Sequence, residues 1–280
     1  MEITDEGRSV ARFVGVDLHE VGDWEQGEVI GEASSPLHDH LRAPGGGIRS
    51  GALLTLCDNV GGFCAGLAAL PDGWVVSTNL TLTIAPPVVV GPLRLRSTVL
   101  RAGKAAIVTD IRVTDAGREG AIVGDAVLTS AVLIPEGGPP RWPRPAHMQA
   151  PPPDGTLPSF VDWLGIRDVE GEPAGVVELD AVDGVRNPWG IVHGGVTAAL
   201  VDFASERAAA AVLGTAPDAL VTSDVALHFL SPSRVGPVRA SAMVVGERAD
   251  GVVLRVEVRD TGLDRVAAHA VVSVRPRSTS

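Results

Sequence analysis

A chain of 280 residues, 45% hydrophobic and 20% charged, is long enough to bury two ordinary cores and has the composition of a globular protein. Its net charge of −11 argues against nucleic acid as a partner, because phosphate recognition needs a basic face and none is visible; an anionic ligand would be met by a few local arginines. The acidic start Met1-Glu2-Ile3-Thr4-Asp5-Glu6 lacks the basic segment and apolar core of a signal peptide, and no run approaches the roughly 18 apolar residues of a membrane span, so the expected setting is the cytoplasm.

In chain order, Val10 to Val16 predicts a short helix or turn, and Gly27 to Glu32 a first strand. The loop from Ser34 to Gly47 leads into an apolar helix over Ser50 to Leu70, closed by Pro71-Asp72-Gly73. Cys57 and Cys64 lie two turns apart on it, about 10 Å and too far for a disulfide, so both read as small core residues in a reducing compartment. The pattern then switches to alternation, and Val75 to Ala85, Gly91 to Arg101, Ala105 to Asp115 and Ala121 to Ile134 each read as strands. Long strands after one buried helix predict a sheet wrapped around that helix, an α+β class.

Residues Pro135 to Gly155 hold eight prolines and predict an extended, semi-rigid linker. Beyond it the order repeats: Phe160 to Ile166, a strand at Gly175 to Asp180, a helix over His193 to Leu213, then strands at Leu220 to Leu230, Gly236 to Val245, Gly251 to Asp260 and Arg265 to Arg275. An offset of 144 places Arg42 to Gly51 under Arg186 to Gly195 and Asp58 under Asp202. At 145, Asn79-Leu80-Thr81-Leu82 lies under Asp224-Val225-Ala226-Leu227. A self-match this long means two copies of one domain rather than a solenoid. The expected division is 1–135, a linker over 136–156, and 157–280.

The most informative stretch is Arg186-Asn187-Pro188-Trp189-Gly190-Ile191-Val192-His193-Gly194-Gly195, which runs into the apolar helix carrying Asp202. A helix start offers unpaired N–H groups and the positive end of a dipole, suited to a developing oxyanion, and the two glycines permit close approach of a carbonyl. A carboxylate inside an apolar helix needs a chemical reason.

Together with the Ser231-Pro232 to Gly236 turn on the following sheet, these residues resemble the hotdog fold, and more narrowly the PaaI-type acyl-CoA thioesterases. The resemblance covers nearly all of the C-terminal copy. The N-terminal copy matches in layout but has Ala43 where Asn187 stands and Arg49 where His193 stands. It implies that Asn187 and the backbone N–H after His193 polarise a thioester carbonyl, and that an Asp acts as general base or nucleophile with a Ser or Thr from the next strand. It also implies that two hotdog units pair with their helices antiparallel, here as an intramolecular pseudo-dimer.

Geometry then predicts an asymmetric molecule. His193 and Asp202 are nine residues apart on one helix, about 13 Å, so one carbonyl cannot touch both. One site is expected to join Asn187, His193, Gly194 and Gly195 of the C-terminal copy with Asp58 and Ser77 of the N-terminal copy. Asp58 is expected to have a pKa raised by apolar surroundings, and His193 to fix the loop rather than act as a base. The other site, Asp202 and Thr222 with Ala43, Arg49 and Ser50, lacks the polarising Asn and is expected to be weak or inactive.

The expected reaction is hydrolysis of an acyl-CoA to free acid and CoA, with no cofactor beyond the CoA of the substrate and with Arg234, or Arg239 and Arg248, near its phosphates. Higher assembly as a homodimer of the double unit fits the resemblance. A non-catalytic acyl-CoA-binding module is the alternative, and a dehydratase fits less well because its motif differs. His38-Asp39-His40 lacks a third ligand in spacing, no Gly-x-Ser-x-Gly elbow is present, and Gly45-Gly46-Gly47 lacks the Lys-Ser/Thr of a phosphate loop.

Overall fold

The structure is a computed structural model describing residues 9–85, 90–152 and 155–277. The acidic N-terminal segment and Pro153 of the linker lie outside the described residues. The first half contains α1 (Val10–Val14), β1 (Val16–Glu20), β2 (Ile30–Ser35), α2 (Ser50–Ala69), β3 (Trp74–Ile84), β4 (Leu93–Ala102), β5 (Ala106–Asp115) and β6 (Ala121–Leu133). A short β7 (His147–Ala150) follows, then α3 (Phe160–Leu164), β8 (Arg167–Asp168), β9 (Val176–Leu179), α4 (Gly194–Leu213), β10 (Leu220–Phe229), β11 (Val238–Arg248), β12 (Gly251–Asp260) and β13 (Arg265–Pro276).

Among the described residues the strands join one 13-stranded sheet in the order β7-β1-β2-β4-β5-β6-β3-β10-β13-β12-β11-β9-β8, with neighbouring strands antiparallel. The two copies meet at β3 and β10, where Leu80 pairs with Leu227 and Asn79 with His228. Within each copy the inward positions of the alternating strands, such as Leu93 and Leu95 on β4 or Val256 and Val258 on β12, are buried toward that copy's helix. Two hotdog units thus share one sheet.

α2 and α4 are apolar on nearly every side because each lies between its own sheet and the other helix. By length and composition α2 would suit a membrane crossing, a point the apolar-run count overlooks, yet here it is a buried core helix. The helices cross antiparallel. A Cβ on Gly195 would lie 2.7 Å from Thr55 Cα and one on Gly51 3.0 Å from Ala199 Cα, so glycine at these matched positions sets how closely the backbones approach. Where α2 ends the chain turns at Leu70 ahead of Pro71, and α4 stops on Gly214 in the left-handed region at φ 61°.

Two features depart from the sequence expectation. β1 starts at the end of a stretch that reads as helix or turn and so precedes the strand expected as first, and that strand runs over Ile30–Ser35 as β2 rather than over Gly27 to Glu32. The Pro-rich segment, expected as an extended, semi-rigid linker, also docks on the first copy: β7 pairs with β1, aligning Val16 with Ala150 and His19 with His147. Its anchor is the buried Glu20 carboxylate, which accepts from Arg144 Nε at 2.6 Å and from the Ala146 N–H at 2.9 Å. A buried carboxylate needs hydrogen-bond partners, and the linker supplies them.

Candidate functional site

The helix crossing brings the sequence-predicted residues together across the two copies. Asp58, on α2, is buried and faces the start of α4. Its Oδ2 accepts the Gly195 N–H at 2.8 Å and lies 3.1 Å from His193 Nδ1, while its Oδ1 accepts the Ser77 hydroxyl of β3 at 2.7 Å. A Cβ on Gly194 would lie 2.8 Å from Asp58 Oδ1, so the glycine pair admits the carboxylate to the helix start.

His193 is the N-cap of α4, and the Gly195 N–H also lies 3.0 Å from its Nδ1. The proton count decides between the two arrangements. An ionised Asp58 favours a proton on Nδ1, so that His193 donates to the carboxylate and the Gly195 N–H does the same. In that arrangement His193 Nδ1 contacts Asp58 from the loop that enters α4.

The two matched aspartates shift in opposite directions. Burial pushes Asp58 up, but the hydrogen bond and charge of His193, the Ser77 hydroxyl and the Gly195 N–H outweigh it and hold the carboxyl below the ordinary value. The expectation of a raised pKa is thus corrected: apolar surroundings are present, yet three donors converge on the group. Asp202 has the mirrored place, accepting the Gly51 N–H at 2.7 Å. There burial dominates over the nearby Thr222 hydroxyl, the Gly51 N–H and Arg49, and the pKa is raised. Neither Asp202 Oδ1 nor the buried Thr222 Oγ1 has a partner in hydrogen-bond geometry.

Arg49 stands where His193 does and is held elsewhere, 3.8 Å from the buried Glu206 carboxylate and 3.5 Å from Asp218. Glu206 is itself raised well above its ordinary value, first by burial and then by Asp202. Ala43, in the place of Asn187, has no polar side chain and is buried. The second arrangement keeps a carboxylate and loses both the polarising amide and the histidine.

Asn187 sits on the loop that enters α4. Its Oδ1 accepts the N–H groups of Trp189 at 3.0 Å and Ile191 at 3.4 Å, an Asx turn that leaves the Nδ2 amide as a donor. The Gly194 N–H is a second donor with no partner among the described residues, since the first amides of a helix have no intrahelical acceptor and that of Gly195 is spent on Asp58. Trp189 pins this loop to the other copy through its Nε1–H, which donates to the Val75 carbonyl at 3.1 Å.

Asp58, Ser77, Asn187, His193 and Gly194 all line one cavity of about 800 Å³. Phe63, Trp74, Trp142, Trp189 and Phe229, half of the chain's ten aromatic residues, line it as well, which gives it an apolar interior. Sequence reading misses these walls because they come from α2, two strands, the Asn187 loop and the linker. Arg234 lines the C-terminal side, exposed, with its Nη1 bonded only at 3.5 Å to the Trp189 carbonyl. Arg186 lines it too, but its guanidinium is occupied by the Gly190, Ala181 and Arg234 carbonyls. Arg239 is paired with Glu178, away from this cavity, and Arg248 lines a small surface pocket elsewhere.

One cluster offers metal-ligand atoms in proximity among the described residues: Asp17, His19 and His147, at the β1–β7 edge. Both imidazole Nε2 atoms meet Asp17 Oδ1, at 3.0 and 2.7 Å, and the rings stack at 4.1 Å and 15°. A ring nitrogen that donates its N–H to the Asp17 carboxylate presents no lone pair to a metal there. His38 and His40 also stack, and His40 Nε2 meets the Phe13 carbonyl at 2.7 Å, as in a polar loop.

The thioesterase superfamily model matches the chain twice, over residues 46–122 and 190–267. No curated protein matches it in sequence. Similar solved structures include a putative thioesterase from Novosphingobium aromaticivorans, with a TM-score of 0.61 at 17% identity over 88% of this chain and 96% of that one. The tesB protein of Mycobacterium avium subs paratuberculosis gives 0.60 at 13% over 88% and 93%. The 12:0-ACP thioesterase of Umbellularia californica gives 0.58 at 12% over 88% and 94%. At such identities these likenesses bear on the fold alone. The model's two matches, one in each copy, together span more than half of the chain, and the protein belongs to the thioesterase superfamily.

Proposed function

We propose that the protein hydrolyses acyl-CoA thioesters to free acid and CoA at a single site shared by its two copies. The observation that carries this reading is the arrangement around Asp58: an ionised carboxylate of one copy, hydrogen-bonded to Ser77, faces the helix start and Asn187 of the other. The thioester oxygen is received by Asn187 Nδ2 and the Gly194 N–H. Asp58 takes a proton from a water as its oxygen bonds to the carbonyl carbon, and the two donors hold the resulting oxyanion. When the tetrahedral intermediate collapses, the C–S bond breaks and the proton passes from Asp58 to the thiolate sulfur, leaving acid and free CoA. No cofactor enters these steps.

Arg234 at the C-terminal side supports entry of the CoA phosphates there, with the acyl group directed toward the apolar walls of the N-terminal copy. Free Cys57 and Cys64 fit a reducing cytoplasm. The test is thiol release from short, medium, branched and aryl acyl-CoAs, with an acyl-carrier-protein ester included because one fold relative is named for such a substrate. Turnover of at least one CoA ester supports the reading. Binding without turnover of any ester would support the non-catalytic alternative instead.

A further inference from the structure

We infer that Gly62 is the specificity-determining residue that admits the acyl chain, and that Glu206 at the mirrored position blocks the second site to it. The inference rests on the hydrolase reading for its main assay, and the experiment below separates the two.

Gly62 lies in the interior of α2, where glycine is the poorest helix former after proline. The other interior glycines of this helix have a packing reason. A Cβ on Gly61 would meet Leu128 at 2.9 Å, and one on Gly66 would meet Trp74 at 2.8 Å. Gly62 has none: a Cβ there would find nothing within 4 Å among the described residues, and its φ is not in the left-handed region. It lines the cavity instead. A glycine that neither the backbone nor its neighbours require, facing a cavity, keeps space open.

That space lies on the path of a substrate. Gly62 follows Asp58 by one helical turn, about 6 Å along the axis, on the same face. Its chain neighbour Phe63 and the linker's Trp142 form an aromatic wall there, their rings 5.6 Å apart and edge-on, with Trp74 stacked 6.3 Å beyond. An acetyl group held at Asp58 ends short of this wall, whereas a longer aliphatic or ring-bearing acyl group crosses Gly62 to reach it.

The second site, around Asp202, acts as an internal control. The offset of 144 residues that aligns Asp202 with Asp58 aligns Glu206 with Gly62. Glu206 is buried and its carboxylate is turned to Arg49, itself the replacement of His193. The cross-copy site that lacks the polarising amide, with Ala43 and Arg49 facing Asp202, has Glu206 in the acyl path, whereas the site that joins Asp58 to Asn187 has Gly62 there and an open path.

The experiment compares wild type with Gly62→Ala, Gly62→Leu and Gly62→Glu on acetyl-, butyryl-, octanoyl- and phenylacetyl-CoA. It adds calorimetric binding of octanoyl-CoA by Asp58→Asn with and without Gly62→Leu. Gly62→Ala, with free space for its methyl, folds and melts no lower than wild type. Gly62→Leu is expected to lower kcat/KM for octanoyl- and phenylacetyl-CoA at least tenfold relative to the shortest ester cleaved, and to weaken octanoyl-CoA binding at least tenfold. An unchanged chain-length profile and unchanged binding in a folded Leu variant would overturn the inference. A wild type that cleaves no ester overturns the hydrolase reading alone, since the calorimetric comparison still reports on Gly62.

Discussion

Asp58 of the first copy accepts the backbone N–H of Gly195 of the second at 2.8 Å, so a helix whose first amides have no intrahelical acceptor is capped by its pseudo-symmetric partner. Asp202 and Gly51 repeat the bond at 2.7 Å. The same contact thus supports the fold in both copies, and on the proposed function only the surroundings of Asp58 add chemistry to it.

That division predicts different outcomes for matched substitutions. Asp58→Asn is expected to lose roughly 10²- to 10⁴-fold in kcat, the usual contribution of a positioned proton acceptor. Asp202→Asn keeps most of the activity, because Ala43 and Arg49 leave that carboxylate without a polarising partner. Thiol-release rates for the two variants beside wild type decide the matter; a dead Asp202 variant with an active Asp58 variant would reverse the assignment.

Asn187→Ala removes one of two oxyanion donors while the buried half of α4 stays intact. A loss of roughly 10²- to 10³-fold in kcat is expected, with KM changed little. Part of the effect belongs to the loop, since Asn187 Oδ1 also holds the Trp189 and Ile191 amides. Asn187→Asp retains that turn but not the donor, and should be as impaired as the alanine variant.

The pH profile follows from the direction of the Asp58 shift. A carboxyl held below its ordinary value stays ionised through the weakly acidic range, so the acid limb of kcat/KM is expected below the usual carboxylate value. His193 supplies the largest of the opposing effects, so His193→Ala moves the limb upward. The same sign applies to stability: the contribution of Asp58 is present above its unfolded-state pKa and is lost as pH falls through the lower folded value. An acid limb that does not move in the His193 variant would show that the histidine does not set the charge of Asp58.

Much of this arrangement is legible in the sequence because the repeat is. Matching Asp58 to Asp202 and Arg49 to His193 identifies which copy keeps which group, and the length of a helix then requires the groups to meet across copies. The strand β1 is not legible, because Val16 to Glu20 is short and its partner β7 lies about 130 residues away inside a Pro-rich stretch. The sign of the Asp58 shift is hidden for a related reason. Burial can be read from an apolar run, but the three donors that reverse its effect come from β3 and the other copy. Trp142 and Gly62 take their meaning only from the cavity they line.

The buried Glu206 gives a prediction of opposite sign to that for Asp58. Burial and the neighbouring Asp202 raise its pKa well above the ordinary 4.5, so the folded protein holds its proton at pH values where the unfolded chain has released it. A raised acid pKa costs stability as pH climbs: the penalty is absent below the unfolded value, grows above it, and levels off beyond the folded value. Glu206→Gln resembles the protonated form at every pH and removes the penalty. The variant should therefore match wild type in denaturant unfolding near pH 4 and become progressively more stable than it toward neutral pH, with Arg49 still paired to Asp218. If the stability gap instead widened toward acid, Glu206 would be held as a charged partner of Arg49 rather than as a neutral occupant of the closed second site.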